Sequence, residues 1–294
     1  MLVGLVTLLA ACADSRAAAP PPVSGSTSTA SSPAGNATTT TTTSPIDSAT
    51  LTGRLQSVVD GFTAGQTVPF SVVIDDISTG AHVSHLADRS VLSASLYKLF
   101  VARELIRRID GGQIDGNAAA GDGMHRTVSQ CVEAMIVVSD NLCGEAGLRI
   151  VGGDDLDARL HSDGYVSTSL ADPQRTSAAD VALFFERARS GTLLGPGGQA
   201  GTAQLYALLK AQQVNDRLPK GLPPGTPIAH KTGDRLHWAH DAGVMSTPRG
   251  DVVIVVLSGP WNAPCCDADH PGAAEATAFG AIAELGREVY AAVS

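Results

Sequence analysis

The chain has 294 residues, 44% of them hydrophobic and 17% charged, which is long enough for a large core in one or two domains. Its formal net charge is −9 and it contains no run of basic residues, which excludes a nucleic-acid surface.

Residues Met1 to Ala11 are apolar and end in Leu9-Ala10-Ala11-Cys12. The run is too short to span a bilayer as a mature helix and has the look of a secretory h-region, although the usual basic start is missing. Its end resembles a bacterial lipobox, in which a cysteine is acylated before cleavage. Residues 1–12 are therefore expected to be a signal segment, with Cys12 as the lipidation site, placing the protein at the outer face of the cell membrane as a lipoprotein of the cell envelope. An ordinary signal peptide with an incidental cysteine is the alternative. Residues 13–45 turn to Pro, Ser, Thr, Ala and Gly, with Thr38 through Thr43 in succession. Such a segment cannot bury enough apolar surface to offset its ordering entropy, so it reads as a disordered tether reaching on the order of 30 Å. The folded domain is expected over 46–294. Setting Cys12 aside, Cys131, Cys143, Cys265 and Cys266 are compatible with two disulfides in any of three connectivities. A zinc site competes, but the spacing lacks a Cys-x-x-Cys pair.

Within the domain, Leu51, Leu55, Val58, Val59 and Phe62 predict a helix near Asp47 to Phe62. Pro69 to Ile77 and Ala81 to His85, joined by Ser78-Thr79-Gly80, predict a hairpin. A helix should start near Ser95, with Leu96, Leu99, Phe100, Leu105, Ile106 and Ile109 on its buried side and Gly111-Gly112 as its stop. A capping box, Thr127 with Gln130, announces the next helix, which ends at Ser139-Asp140-Asn141. Shorter helices are expected over Asp155 to His161, Ser177 to Ser190 and Ala203 to Gln213. Two late strands follow, Ala242 to Ser246 and Val252 to Ser258, and Gly272 to Val293 closes the chain as a helix. This order implies an α/β (α+β) fold: an antiparallel sheet built from both chain ends, flanked by helices, with a central all-helical lobe.

The chemistry concentrates in three short motifs. In Ser95-x-x-Lys98 the amine lies on the same helical face as the hydroxyl, so a lysine of lowered pKa can take the serine proton. Ser139-Asp140-Asn141 and Lys231-Thr232-Gly233 follow in that order. Each has an ordinary reading alone: a capping serine with a snorkelling lysine, a helix-ending turn, the beginning of a strand. Together they resemble the motif set of class A β-lactamases and penicillin-binding proteins. Only four lysines occur, Lys98, Lys210, Lys220 and Lys231, and two of them fall in these motifs. Flanking stretches are similar as well, including Arg217-Leu-Pro-Lys-Gly-Leu-Pro and His240-Asp-Ala-Gly-Val. The resemblance runs from about Val68 to the C-terminus.

What the resemblance implies is a β-lactamase/D,D-peptidase-like fold in which Ser95 is acylated and Lys98 accepts its proton. Ser139 would relay a proton to the leaving nitrogen, Asn141 would line the groove, and Lys231 with Thr232 would hold a substrate carboxylate beside Gly233. The N–H groups of Ser95 and Asp234 would form the oxyanion hole. Neither a cofactor nor a metal is called for. The substrate would be a small β-lactam or a peptidoglycan-like peptide, with the membrane met only through the lipid anchor.

Three departures qualify this. The loop that in class A enzymes carries a water-positioning glutamate is here Asp163 to Ser177; it holds no glutamate, only Asp163 and Asp172. The gap between Lys98 and Ser139 is short, so part of the groove wall is expected to be missing. Asp234 stands where small or hydroxyl residues are usual, and its charge would repel a substrate carboxylate unless Arg235, His237 or His230 compensates. The chain is thus expected to be a lipid-anchored serine acyl-enzyme with slow deacylation. A D,D-peptidase-like cell-wall enzyme and a binding lipoprotein that kept only the fold are the alternatives.

Overall fold

A computed structural model describes residues 46–260, apart from 153 and 236, and residues 272–294. The expected signal segment and tether, together with Cys265 and Cys266, therefore lie outside the described residues. In chain order the elements are α1 (Ser48–Ala64), β1 (Phe70–Asp76), β2 (Ala81–His85), β3 (Val91–Leu92), α2 (Tyr97–Asp110), α3 (Val128–Val137), α4 (Asn141–Val151) and α5 (Asp154–Ser162). They continue with β4 (Arg175–Thr176), α6 (Ala178–Ser190), α7 (Gln199–Lys210), α8 (Leu218–Gly221), β5 (Ile228–Arg235), β6 (Trp238–Thr247), β7 (Gly250–Ser258) and α9 (Gly272–Val293).

The five-stranded sheet runs β2-β1-β7-β6-β5, every neighbour antiparallel, so both ends of the chain supply it as expected. β7 sits at its centre, and alternation sends its side chains into two cores. Val253, Val255 and Leu257 pack with the helical lobe. Val252, Ile254 and Val256 pack under α1 and α9 with Leu51, Leu55, Ile282 and Leu285. Because both faces are covered, this strand is a near-continuous apolar run rather than an alternating one.

α1 is started by Asp47, whose side chain accepts from Thr50 N at 2.9 Å. The capping box of α3 is present in both directions: Thr127 N donates to Gln130 Oε1 at 2.9 Å and Gln130 N to Thr127 Oγ1 at 3.2 Å.

Two of the differences from the sequence expectation bear on the site. The chain does not leave helical structure after Ser139-Asp140-Asn141; Asp140 caps Cys143 N at 2.8 Å and opens α4. Gly144 and Gly147 lower the helical propensity of that stretch and so hide it. Both are needed for packing: a Cβ at Gly144 would lie 2.6 Å from Lys98 Cε, and one at Gly147 2.8 Å from Val101 Cγ1. The second is β5, a buried strand made of His230, Lys231 and Thr232 rather than of apolar residues. Polar side chains can sit there because their neighbours satisfy them. One of the two expected disulfides is present, Cys131–Cys143, joining α3 to α4 across the turn that carries Ser139. Among the described residues no helix is long and apolar enough to cross a membrane.

Candidate active site

Ser95 lies in a single 3₁₀ turn, Ala94–Leu96, just ahead of α2, not in the first turn of the α-helix itself. Leu96, Leu99 and Phe100 are fully buried and fix this turn in the lobe. Ala94 has φ +46°, a left-handed backbone that non-glycine residues adopt at a cost of roughly 1–2 kcal/mol. On its other side β5 comes close because residue 233 is glycine: a Cβ there would meet Ser93 O at 3.2 Å and Leu96 Cγ at 3.1 Å. His240 ties the sheet to the approach of this turn. Its Nε2 donates to Leu92 O at 2.8 Å while Nδ1 accepts from Ser258 N at 3.2 Å, so the ring is neutral, and burial holds its pKa down at about 4.

Lys98 is buried beneath Ser95. Its Nζ donates to Ser139 O at 2.6 Å and to Asn141 Oδ1 at 2.7 Å, both pure acceptors. Ser95 Oγ stands 3.2 Å away. A neutral amine has two N–H bonds and one lone pair; with both N–H bonds engaged, the lone pair is left for the Ser95 hydroxyl proton. Burial favours that neutral form and brings the Lys98 pKa down to about 8, against the opposing pull of Asp140, Asp234 and Glu145.

Ser139 is the second strained position, with φ +58°. This backbone places its hydroxyl between two lysines, 2.8 Å from Lys231 Nζ and 3.4 Å from Lys98 Nζ. Lys231 is fully buried and also donates to Thr232 O at 2.8 Å. Burial, reinforced by the Lys98 charge, lowers its pKa well below the usual lysine range. Asp140 faces away from the cleft chemistry: both its oxygens accept from Arg126 at 3.0 Å, which fixes the turn carrying Ser139 and keeps its carboxyl ionised. Among the described residues the Ser95 N–H has no backbone partner, leaving it available to an oxyanion.

Asp234 is compensated, but by a different residue from those expected. Arg217, fully buried, pairs with its Oδ1 at 2.7 Å and also donates to His240 O at 3.0 Å. His230 instead contacts Asp241 and Asn215, each at 2.9 Å. Asp163 is likewise outside the chemistry, held by Arg103 at 2.5 Å.

A cleft of about 320 Å³ opens above Ser95, with Asn141, Asp234 and Arg235 on its walls. Asp172 and Gln174 reach it from the loop before β4, and Tyr97, Glu145 and Leu148 from α2 and α4. Sequence reading missed Glu145 because the helix carrying it was missed; its spacing of four from Asn141 was the available signal. Tyr97 stays a phenol: burial, then the Glu145 charge, pushes its pKa up to about 12. A larger groove of about 950 Å³ runs between α1 and α9, but it is lined by Phe62, Val58, Arg287 and their neighbours and holds no nucleophile of this set.

Comparison with known proteins identifies the family and several relatives. The profile of the family described as "Beta-lactamase enzyme family" matches residues 49–293. Beta-lactamase FAR-1 of Nocardia farcinica is 28% identical over 236 residues, covering 69% of this chain and 74% of that protein. An ancestral class A beta-lactamase, GNCA, superposes with a TM-score of 0.66 at 26% identity, covering 81% of this chain and 99% of that one. A mutant of PBP-A, solved as its acyl-enzyme complex with penicillin G, superposes with a TM-score of 0.71 at 21% identity over 82% of this chain and 96% of that one, a likeness of fold.

Proposed function

The chain belongs to the beta-lactamase enzyme family, and on that premise we propose that it is a lipid-anchored serine hydrolase that opens β-lactams onto Ser95 and releases the product slowly. The observation that carries this reading is the placement of Lys98: its Nζ donates to Ser139 O and Asn141 Oδ1 and stands 3.2 Å from Ser95 Oγ, so that in the neutral amine the remaining lone pair faces the Ser95 hydroxyl. Lys98 takes the hydroxyl proton as Oγ adds to the lactam carbonyl, and the Ser95 N–H holds the oxyanion. Ser139, held between Lys98 and Lys231, passes a proton to the ring nitrogen as the C–N bond breaks. Lys231 and Thr232 receive the substrate carboxylate, and Arg217 offsets the nearby Asp234 charge. Slow release follows from the loop of residues 163–177, which lacks a glutamate and whose Asp163 is tied to Arg103.

Mixing the protein with penicillin G should add one ligand mass on Ser95 that persists for minutes, and Ser95→Ala should abolish it. Complete absence of adduct would point to a different substrate or to a binding protein. Rapid steady-state hydrolysis would remove the slow-release part of the reading.

The lipobox motivates the anchor. The mature protein should begin at Cys12 and partition into detergent, with Cys12→Ala moving it to the aqueous phase. Unlipidated native protein would refute the anchor without touching the chemistry.

A further inference from the structure

We propose that Glu145 is the general base that directs water onto the Ser95 ester, so that the slow release this chain achieves comes from α4 and not from the loop of residues 163–177. The inference rests on the acyl-enzyme reading above and extends it to the second half of the reaction.

Glu145 lines the same cleft as Ser95. It lies one helical turn beyond Asn141, and residues four apart share a face, so the carboxylate stands over the side that reaches Lys98. Gly144, the residue before it, sets the depth of that face. A Cβ at 144 would lie 2.5 Å from the Tyr97 hydroxyl and 2.6 Å from Lys98 Cε, so only glycine lets α4 settle this close to α2. The charge of Glu145 is felt by both Lys98 and Tyr97, in agreement with that proximity.

Availability separates Glu145 from most of its rivals. Asp140 is held by Arg126, Asp163 by Arg103 and Asp234 by Arg217. Glu145 is exposed and, among the described residues, makes no hydrogen bond or ion pair. Asp172 is the other unpartnered carboxylate in the cleft, but it stands on a loop and is one methylene shorter, whereas Glu145 projects from a helix keyed onto Lys98.

The step balances without any co-reactant. A water oxygen adds to the ester carbonyl carbon while its proton passes to the Glu145 carboxylate. The tetrahedral oxyanion rests on the Ser95 N–H. As the C–Oγ bond breaks, the proton held by Glu145 returns through Lys98 to Ser95 Oγ, leaving the product acid and a free serine.

The test uses the whole chain and penicillin G, following adduct mass during formation and, after excess ligand is removed, during decay. Glu145→Gln should acylate within about threefold of the unaltered protein and lose its adduct about 10²-fold more slowly, the usual effect of removing a positioned base. Asp172→Asn should leave both rates within about threefold. Adduct decay in Glu145→Gln at the original rate, or slowing confined to Asp172→Asn, would overturn the assignment of Glu145 while leaving acylation at Ser95 intact. No adduct in the unaltered protein would overturn both.

Discussion

Replacing Lys98 by alanine should slow acylation of Ser95 by about 10²–10⁴-fold, and in the unaltered protein the acylation rate should climb as pH rises through about 8. The sign follows from burial. An ammonium pressed into the lobe is disfavoured, so Lys98 gives up its proton at about 8 rather than at the usual lysine value. Below that pH the amine is charged and has no lone pair for the Ser95 proton; above it the lone pair is free. Lys98→Arg should fail as badly as alanine, since guanidinium keeps its charge throughout. Stopped-flow acylation by a chromogenic cephalosporin from about pH 6 to about 9 reads the profile. A flat profile across that window would place the base elsewhere.

The largest structural effect should come from Gly221→Ala. α8 lies against α9 so closely that a Cβ at 221 would sit 1.8 Å from Ala283 O, 2.7 Å from Ala283 C and 3.1 Å from Arg287 N. These are backbone atoms, which cannot rotate aside, so α8 and α9 must separate. Overpacking of this kind costs about 1–3 kcal/mol and sometimes more, and the upper end is expected here. Arg217 immediately precedes α8, so its pairing with Asp234 should loosen together with the helix. Gly53→Ala is the matching control: nothing lies within 4 Å of that Cβ, and a mid-helix alanine should stabilise by about 0.5–1 kcal/mol. Urea unfolding reads both. Equal stability of Gly221→Ala and the unaltered protein would mean that α8 and α9 tolerate separation.

Most of the architecture was legible because its elements carry strong local signals. The Thr127–Gln130 box, the apolar run of β7 and the spacing of Leu96, Leu99 and Phe100 each follow from capping or periodicity alone. What stayed hidden was set by contacts distant in sequence. Gly144 and Gly147 weaken α4 as a pattern for the sake of Lys98 and Val101, and the polar strand β5 makes sense only once Ser139, Asp241 and Asn215 are in place around it. The partner of Asp234 shows the same limit. Arg217 precedes it by 17 residues, whereas the nearer cations Arg235, His237 and His230 were the expected ones. The motif residues themselves were readable from order and spacing; the 3₁₀ turn at Ser95 and the left-handed backbone of Ser139 were not.

The bond between Cys131 and Cys143 encloses Ser139, Asp140 and Asn141 in a loop with a sequence separation of 12. Closing a loop of this size is worth roughly 3 kcal/mol in the chain-entropy account, and the restriction falls on the residues that engage Lys98. Synthesised under reducing conditions, the chain would hold this turn through Arg126, the two lysines that contact Ser139 and the packing of α3 against α4, without the covalent tie, and Asn141 would be freer to drift from the amine. Oxidation after synthesis would then act as a maturation step, bringing the amine and its acceptors into register only once the chain meets an oxidising environment.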